Sequence, residues 1–498
     1  MRPLQLAFFG APHRLAGTRR SPAEEAGRRK RMSPWVGIQQ ASQRRTVVAL
    51  ASLCAAVGAA SAQAAPSVYV ANGGGTAVSQ YRIGAAGLLS PFAPATVLAG
   101  NSPFWVVITL DGRDAYVTNM VDNTVSHFDV SSSGMLVAKP PVLGTGNTPL
   151  GLAVSPNGRN IYVANTGSNT ISQYDVRRGG GLKAKTPATV AAGGQPAGAA
   201  VSPDGRTLYV GNAADSTVSQ YDVGADGALS PKSPATVPTG NTAADVEVAP
   251  NGETVYVSNR LGNTVSQYAV GRGGRLSALS PATVAAGSGP EGMVISPDGR
   301  SLYLASARDN TVLQFSVGRR GALAPKSPAS LTVTGFLPFP ADAAISPDGK
   351  SVYVTNRLGG TLSQFDVGGG GKLSAKSPET VTAEALPVGL AATPAQLPAI
   401  EQLTTVPRRF PASRHTAFRF TLTGVTTAKV KITITRPGSR RVGAFKHAAR
   451  AGVNRIRFSG RLGARALEPG RYRATVVATG PSGKRSQPET TSFKITAG

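Results

Sequence analysis

Seven side chains in the middle of the chain have the chemistry to bind or split an ester. They are the carboxylates Asp245, Glu247, Glu291 and Asp342 and the guanidiniums Arg260, Arg308 and Arg357. A carboxylate takes a proton from water as it attacks a carbonyl, and a guanidinium holds the oxyanion that forms. Asp122, Asp309 and Trp105 complete a set of ten ligand-binding candidates. Histidine, the commonest partner in such chemistry, is scarce: His13, His127, His415 and His447 are scattered, with none paired at ligand spacing. Cys54 is the lone cysteine, which excludes a disulfide framework and a Cys-based metal site. No metal and no cofactor is expected.

These ten residues stand out because they break a repeat. The unit reads as an apolar strand, an S-P-D-G-R turn, a strand x-Y-V-x-N, a short loop, a strand T-V-S-Q-Y-D-V, a Gly-rich turn and L-S-x-K-S-P-A-T-V. Its tyrosine recurs at Tyr69, Tyr116, Tyr162, Tyr209, Tyr256, Tyr303 and Tyr353, at intervals of 46 or 47 residues and finally 50. That period holds four short strands. Pro-Asp-Gly or Pro-Asn-Gly, as at Pro203-Asp204-Gly205, sets a tight turn with glycine where φ is positive. No Trp-Asp dipeptide occurs, so the array is not of the WD40 kind.

The two ends are out of phase. The array opens at Ser67 on a Y-V strand and closes at Val388–Thr393 on an apolar first strand with no Y-V strand after it. A ring in which the last strand completes the first blade accounts for this offset and hides the sheet edges. The expected fold is therefore all-β: a seven-bladed propeller over 65–394, as a monomer.

One end of such a ring gathers the blade-to-blade loops and the loops between second and third strands, and this mouth is where the ten candidates fall. Asp245, Glu291 and Asp342 have Leu150, Ala197 or Val388 as neighbours in other repeats, and a solvated channel rim is preferred over catalysis for them. The asparagine after Tyr-Val-x, present in six of seven units, reads as closing the turn through its own backbone. His127, standing for the Gln of S-Q-Y, reads as a third-strand packing or surface residue. Gly179–Gly181 and Gly368–Gly371 lack a following helix and Lys-Ser/Thr, so they are not phosphate loops.

Tyr116-Val117-Thr118-Asn119 and Tyr353-Val354-Thr355-Asn356, with the S-P-D-G-R/K turns and T-V-S-Q-Y-D-V strands, resemble the YVTN-repeat propellers. That group merges into the lactonase-type seven-bladed propellers. The resemblance covers about 67–394 and rests on strand and turn residues, so it speaks for the fold more than for an activity.

Charge divides the chain. Residues 1–64 carry a net +8, residues 401–498 a net +17, and the middle about +2 of the total +27. The near-neutral middle argues against nucleic acid as the partner of the whole protein. At the N-terminus, Arg44-Arg45, the apolar run Thr46–Ala60 and Ala62-Gln63-Ala64 spell a secretory signal cleaved near Ala64. The run is too short and weakly apolar for a stable membrane span, so the mature protein is expected at a bacterial cell surface, in the periplasm or outside.

After a linker at 395–407, strands are expected at 417–423, 428–435, 453–459, 471–478 and 490–496. Leu467-Glu468-Pro469-Gly470-Arg471-Tyr472 resembles the turn into a late strand of Ig-like or fibronectin-like sandwiches, giving a basic β-sandwich at 408–498.

Two functions follow. The preferred one is a non-enzymatic binding or scaffold propeller for an extracellular protein, glycan or small molecule, with its tail attached to acidic envelope polymers. The alternative, which the resemblance implies, is a lactonase-like hydrolase of the 6-phosphogluconolactonase type. A phosphorylated sugar lactone is a cytoplasmic substrate and sits badly with export.

Overall fold

The computed structural model describes residues 65–394, 399–411, 415–436, 441–462, 465–480, 486 and 488–497. The export signal read at 1–64 lies outside them. From Ser67 to Ala392 the chain forms seven four-stranded antiparallel sheets. In the second blade the strands are Pro103–Ile108, Asp114–Asn119, Thr124–Val130 and Leu136–Gly144, from innermost to outermost. Each first strand packs on the first strand of the next blade, round a circle that returns from Pro387–Ala392 to Pro103–Ile108.

The first blade closes the circle. Its inner strand is Pro387–Ala392, and its other three are Ser67–Asn72, Ala77–Ile83 and Leu89–Leu98. Val68 lies opposite Ala392 and Val70 opposite Leu390. The Thr393 amide donates to the Ser67 carbonyl at 2.9 Å, and the Ser67 amide to Thr393 Oγ1 at 3.0 Å. The edge exposed at the start of the array is covered by its end.

The repeated tyrosine explains why the blades stay in register. All seven are fully buried. Each hydroxyl donates across the blade boundary to a glycine carbonyl in the next blade's third-to-fourth-strand turn, as from Tyr116 to Gly180 at 2.6 Å and from Tyr209 to Gly274 at 2.6 Å. The seventh, Tyr353, reaches Gly87 in the first blade at 2.7 Å. A buried tyrosine thus contributes a large apolar ring and a satisfied hydroxyl at one place. The glutamine of S-Q-Y works beside it: Gln173 Oε1 accepts the Leu229 amide of the next blade at 3.0 Å, while its Nε2 donates to the Pro187 carbonyl of its own.

His127, in place of that glutamine, is buried, stacks on Tyr116 at 4.8 Å and pairs with Asp114 at 2.8 Å. The asparagine of Y-V-x-N does more than expected. Asn119 Nδ2 donates to Thr124 Oγ1 and Ser126 Oγ of the third strand, both at 2.9 Å, so its side chain braces the hairpin. In the first and third blades the asparagine's own carbonyl also closes the turn, by accepting the Gly75 and Ser168 amides.

The inner strand is irregular in every blade, with a register shift over its second and third residues, as between Pro103 and Val106. The variable residue of Y-V-x-N answers that bulge. Where the third inner residue is Trp105, Asp245 or Asp342, x is Thr118, Ser258 or Thr355, whose hydroxyl accepts the third residue's amide at 3.0 Å. Where the third residue is glycine (151, 198, 292 or 389), x is Ala164, Gly211, Ala305 or Ala71. A Cβ on Gly389 would stand 2.6 Å from the Phe104 carbonyl oxygen, which shows how closely the inner strands approach.

The C-terminal β domain is built round one apolar core that includes Phe418, Phe420, Ile432, Phe458, Val476 and Phe493. Its sheet runs Ala399–Val406, Thr416–Thr435, Gly470–Thr479, Glu489–Thr496 and Arg409–Pro411, with Arg441–Phe458 also on Thr416–Thr435. Ala399–Val406 falls inside the span read as linker; its proline-rich approach concealed a strand that buries Ile400. Tyr472 donates to the Glu468 carbonyl four residues upstream at 2.7 Å, the bond by which a tyrosine corner fixes a strand entry.

Candidate functional site

The inner strands begin at the mouth, and there they enclose a cavity of about 190 Å³. Its walls are largely apolar: Phe104, Trp105, Leu150 and Val388 with several alanines. Five of the ten sequence candidates line it, namely Trp105, Asp245, Arg260, Glu291 and Arg357. Among the described residues no histidine does.

Position within the repeat says why three of these are exceptional. Glu291 is the second residue of its inner strand, where the other blades carry Phe104, Leu150, Ala197, Ala244, Ala341 and Val388. Arg260 and Arg357 follow the Y-V-x-N asparagine, where other blades have Gly73, Met120, Thr166, Ala213 and Ala307. Three charges have thus been placed at apolar or small positions. Arg260 Nη2 donates to Glu291 Oε2 at 2.5 Å. The Nε atoms of Arg260 and Arg357 are both buried without a hydrogen-bond partner. Buried donors rarely stay unpaired, so these two are available to an acceptor. Burial lowers the Arg357 pKa from its ordinary value, and Glu291 opposes that.

A second tier of carboxyls lies beside this group. Asp245 and Asp342 are third residues of their inner strands, so their counterparts are Trp105 and the four glycines, not the Leu150, Ala197 or Val388 expected from the repeat. Each is a staple. Asp245 accepts the amides of Val246 at 2.8 Å and of Met293, in the next blade, at 2.9 Å. Asp342 does the same with Ala343 and Leu390. Burial pushes the Asp245 pKa up to about 6 against these hydrogen bonds, and raises that of Asp342 well above its ordinary value. Glu247, half-buried where other blades have valine or alanine, is raised well above its ordinary value by burial and then by Asp245 and Asp342.

The remaining candidates are apart from the cavity. Asp122 accepts the Asn101 amide at 2.7 Å, and Asp309 the Ser288 amide at 2.6 Å, so each braces a blade-to-blade loop at the exposed rim. Arg308 is exposed beside Gly289. Sequence reasoning passed over Phe104, Leu150 and Val388, which wall the cavity; their place at inner-strand starts was the available signal.

What the mouth can do chemically is bounded by this set. Two guanidiniums and the Glu291 carboxylate, with Asp245 stapled to backbone amides beside them, converge in an apolar pocket, which suits a small molecule with a carbonyl or carboxylate oxygen.

The family described as lactonase, 7-bladed β-propeller, matches residues 61–236, 228–320 and 271–396. A search of curated proteins gave no match. Among solved structures the chain is similar to a candidate 6-phosphogluconolactonase from Bacteroides fragilis, at 21% identity and TM-score 0.57 over 66% of this chain and 97% of that one. It is similar also to the periplasmic gluconolactonase of Pseudomonas aeruginosa, at 22% identity and TM-score 0.55 over 66% of this chain and 98% of that one. At these identities the likeness speaks for the propeller alone.

Proposed function

The chain belongs to the seven-bladed β-propeller lactonase family, and on that premise we propose that it is an exported hydrolase of lactones, with Arg260, Glu291 and Arg357 as its catalytic group. The observation that carries this is a carboxylate at an otherwise apolar inner-strand position, beside two guanidiniums with unpaired Nε donors. Glu291 takes a proton from water as the water oxygen adds to the ring carbonyl carbon. The oxyanion faces the guanidiniums, Arg357 foremost since Arg260 holds Glu291. The ring C–O bond then breaks, and the leaving alkoxide recovers the proton from Glu291. The product is an open hydroxy acid, which ionises and releases a proton to solvent.

Proton release from a panel of lactones tests this. Glu291→Gln is expected to cut kcat at least ~100-fold while the fold is retained, in the range typical of a lost general base. Turnover unaffected by that change contradicts the assignment. A second reading, non-enzymatic recognition at the same mouth, is favoured by the Arg260–Glu291 pair, since the Glu291 oxygen that accepts from Arg260 is already occupied. Saturable lactone binding with no proton release would select it.

The tail has a role of its own in this reading: attachment to acidic envelope polymers. Lys431 lies directly opposite Lys446, Arg419 opposite Arg455 and Arg471 opposite Lys494, all exposed. Like charges facing one another across a strand pair are destabilising, and a polyanion laid over them removes that cost. Elution of the protein from isolated envelopes by ~0.5 M salt is the expected result, and retention indifferent to ionic strength overturns it.

A further inference from the structure

We propose that the lactone carries an aliphatic chain, its ring ester held at Arg260, Glu291 and Arg357 and its chain lying across an apolar rim that the mouth presents to solvent. This rests on the hydrolase reading above.

Six large apolar side chains are exposed in the turns of this one end, from 41% for Leu386 to 84% for Phe336. Val121, Leu261 and Leu358 share one position, two residues after the Y-V-x-N asparagine, where other blades have Gly74, Gly167, Ala214 and Arg308. Leu261 and Leu358 therefore directly follow the two cavity arginines. Phe336, Leu337 and Leu386 stand in the blade-to-blade connections.

The connection at 333–339 is the exceptional one. It is three residues longer than its counterpart at 286–289, which accounts for the stretched interval between Tyr303 and Tyr353. The extra residues bring Phe336 and Leu337, the latter held at φ 45°. This loop rests on the turn that carries Arg357: the Arg357 amide donates to the Phe339 carbonyl at 3.0 Å, and the Phe336 carbonyl oxygen lies 3.3 Å from where a Cβ on Gly359 would be. A break in an otherwise regular repeat has thus been used to add apolar surface beside the catalytic guanidinium.

Below the rim the cavity continues the same character, with Phe104, Trp105, Leu150 and Val388 around the charged group. Apolar surface gathered at one end of a soluble fold marks a binding face. Because the turns that bear Leu261 and Leu358 also carry the pocket's Arg260 and Arg357, the complementary ligand is an amphiphile. A sugar lactone, hydroxylated on most of its carbons, would set its hydroxyls against these side chains and leave them without partners. A protein partner could cover the rim but has no use for the pocket.

The sequence supplies the probe, because its two tryptophans are Trp35 and Trp105. In the full-length chain carrying Trp35→Phe, Trp105 reports directly on the cavity. The protein is titrated with δ-valerolactone, δ-octalactone, δ-dodecalactone and glucono-δ-lactone, following Trp105 fluorescence and proton release together. Affinity and kcat/KM are expected to rise roughly fourfold per added methylene through the first several carbons, the factor set by burying a CH₂. The double variant Phe336→Ser, Leu337→Ser is expected to flatten that series.

Glucono-δ-lactone bound and turned over as well as δ-dodecalactone would overturn the aliphatic assignment and leave the hydrolase reading intact. Quenching that deepens with chain length, but without proton release, would uphold the chain selectivity and overturn hydrolysis. Absence of both signals overturns both.

Discussion

Buried charge at the mouth has two different purposes, and a single residue change separates them. Asp245 and Asp342 use both carboxylate oxygens on backbone amides of two adjacent blades, so they hold the ring together. Glu247 has neither staple, yet it lies among them with a raised pKa. A carboxyl whose folded pKa lies above its unfolded value binds protons more tightly in the folded state. Its stabilisation is complete below pH ~4 and is lost as pH rises through the folded pKa, which for Asp245 is about 6. On the order of 3 kcal/mol present at pH 4 is absent at pH 8 from Asp245 alone. Glu247→Gln is therefore expected to raise the urea midpoint at pH 8 and to reduce the fall in stability between pH 4 and pH 7. An unchanged difference between the two pH values in the variant contradicts the burial argument. Residue types drew attention to these carboxyls in the sequence, but their roles were hidden. One residue of register decides whether a side chain reaches the next blade's amides or the cavity, and a bulge inside the inner strand moved that register.

At the scale of the element, the blade is fastened through its turns. Gly371 shows why its glycines differ in importance. It sits at φ 72°, its carbonyl accepts the Tyr303 hydroxyl at 2.8 Å, and a Cβ there would come within 2.1 Å of Ser301 Oγ. Gly369, two residues earlier in the same turn, meets nothing within 4 Å. Gly371→Ala is expected to cost about 2–4 kcal/mol and Gly369→Ala less than ~1, measured by urea unfolding. Equal costs would mean that the blade boundary is not held there. The strands and turns were legible because valine, tyrosine and Pro-Asp-Gly impose their conformations locally. The tyrosine's partner was not, since it lies about 65 residues downstream and is a bare backbone carbonyl.

At the scale of the molecule, ring closure sets what the mouth can be. Seven inner strands meeting in a circle bring Trp105, Arg260, Glu291, Arg357 and Val388, from five blades, to one cavity. The closure was readable from the offset between the array's two ends. The cavity's chemistry was only partly so, because its apolar walls look in sequence like ordinary strand residues. The central claim is that lactone chemistry takes place between Arg260 and Arg357, over Glu291. A crystal structure of the protein with 5-hydroxydodecanoate, the ring-opened form of δ-dodecalactone, tests it most directly. The account predicts a carboxylate oxygen within about 3 Å of one of the two guanidiniums, and the alkyl chain running past Trp105 toward Phe336. The same compound seated on the opposite face, or an empty mouth in crystals of protein that turns the lactone over, would contradict it.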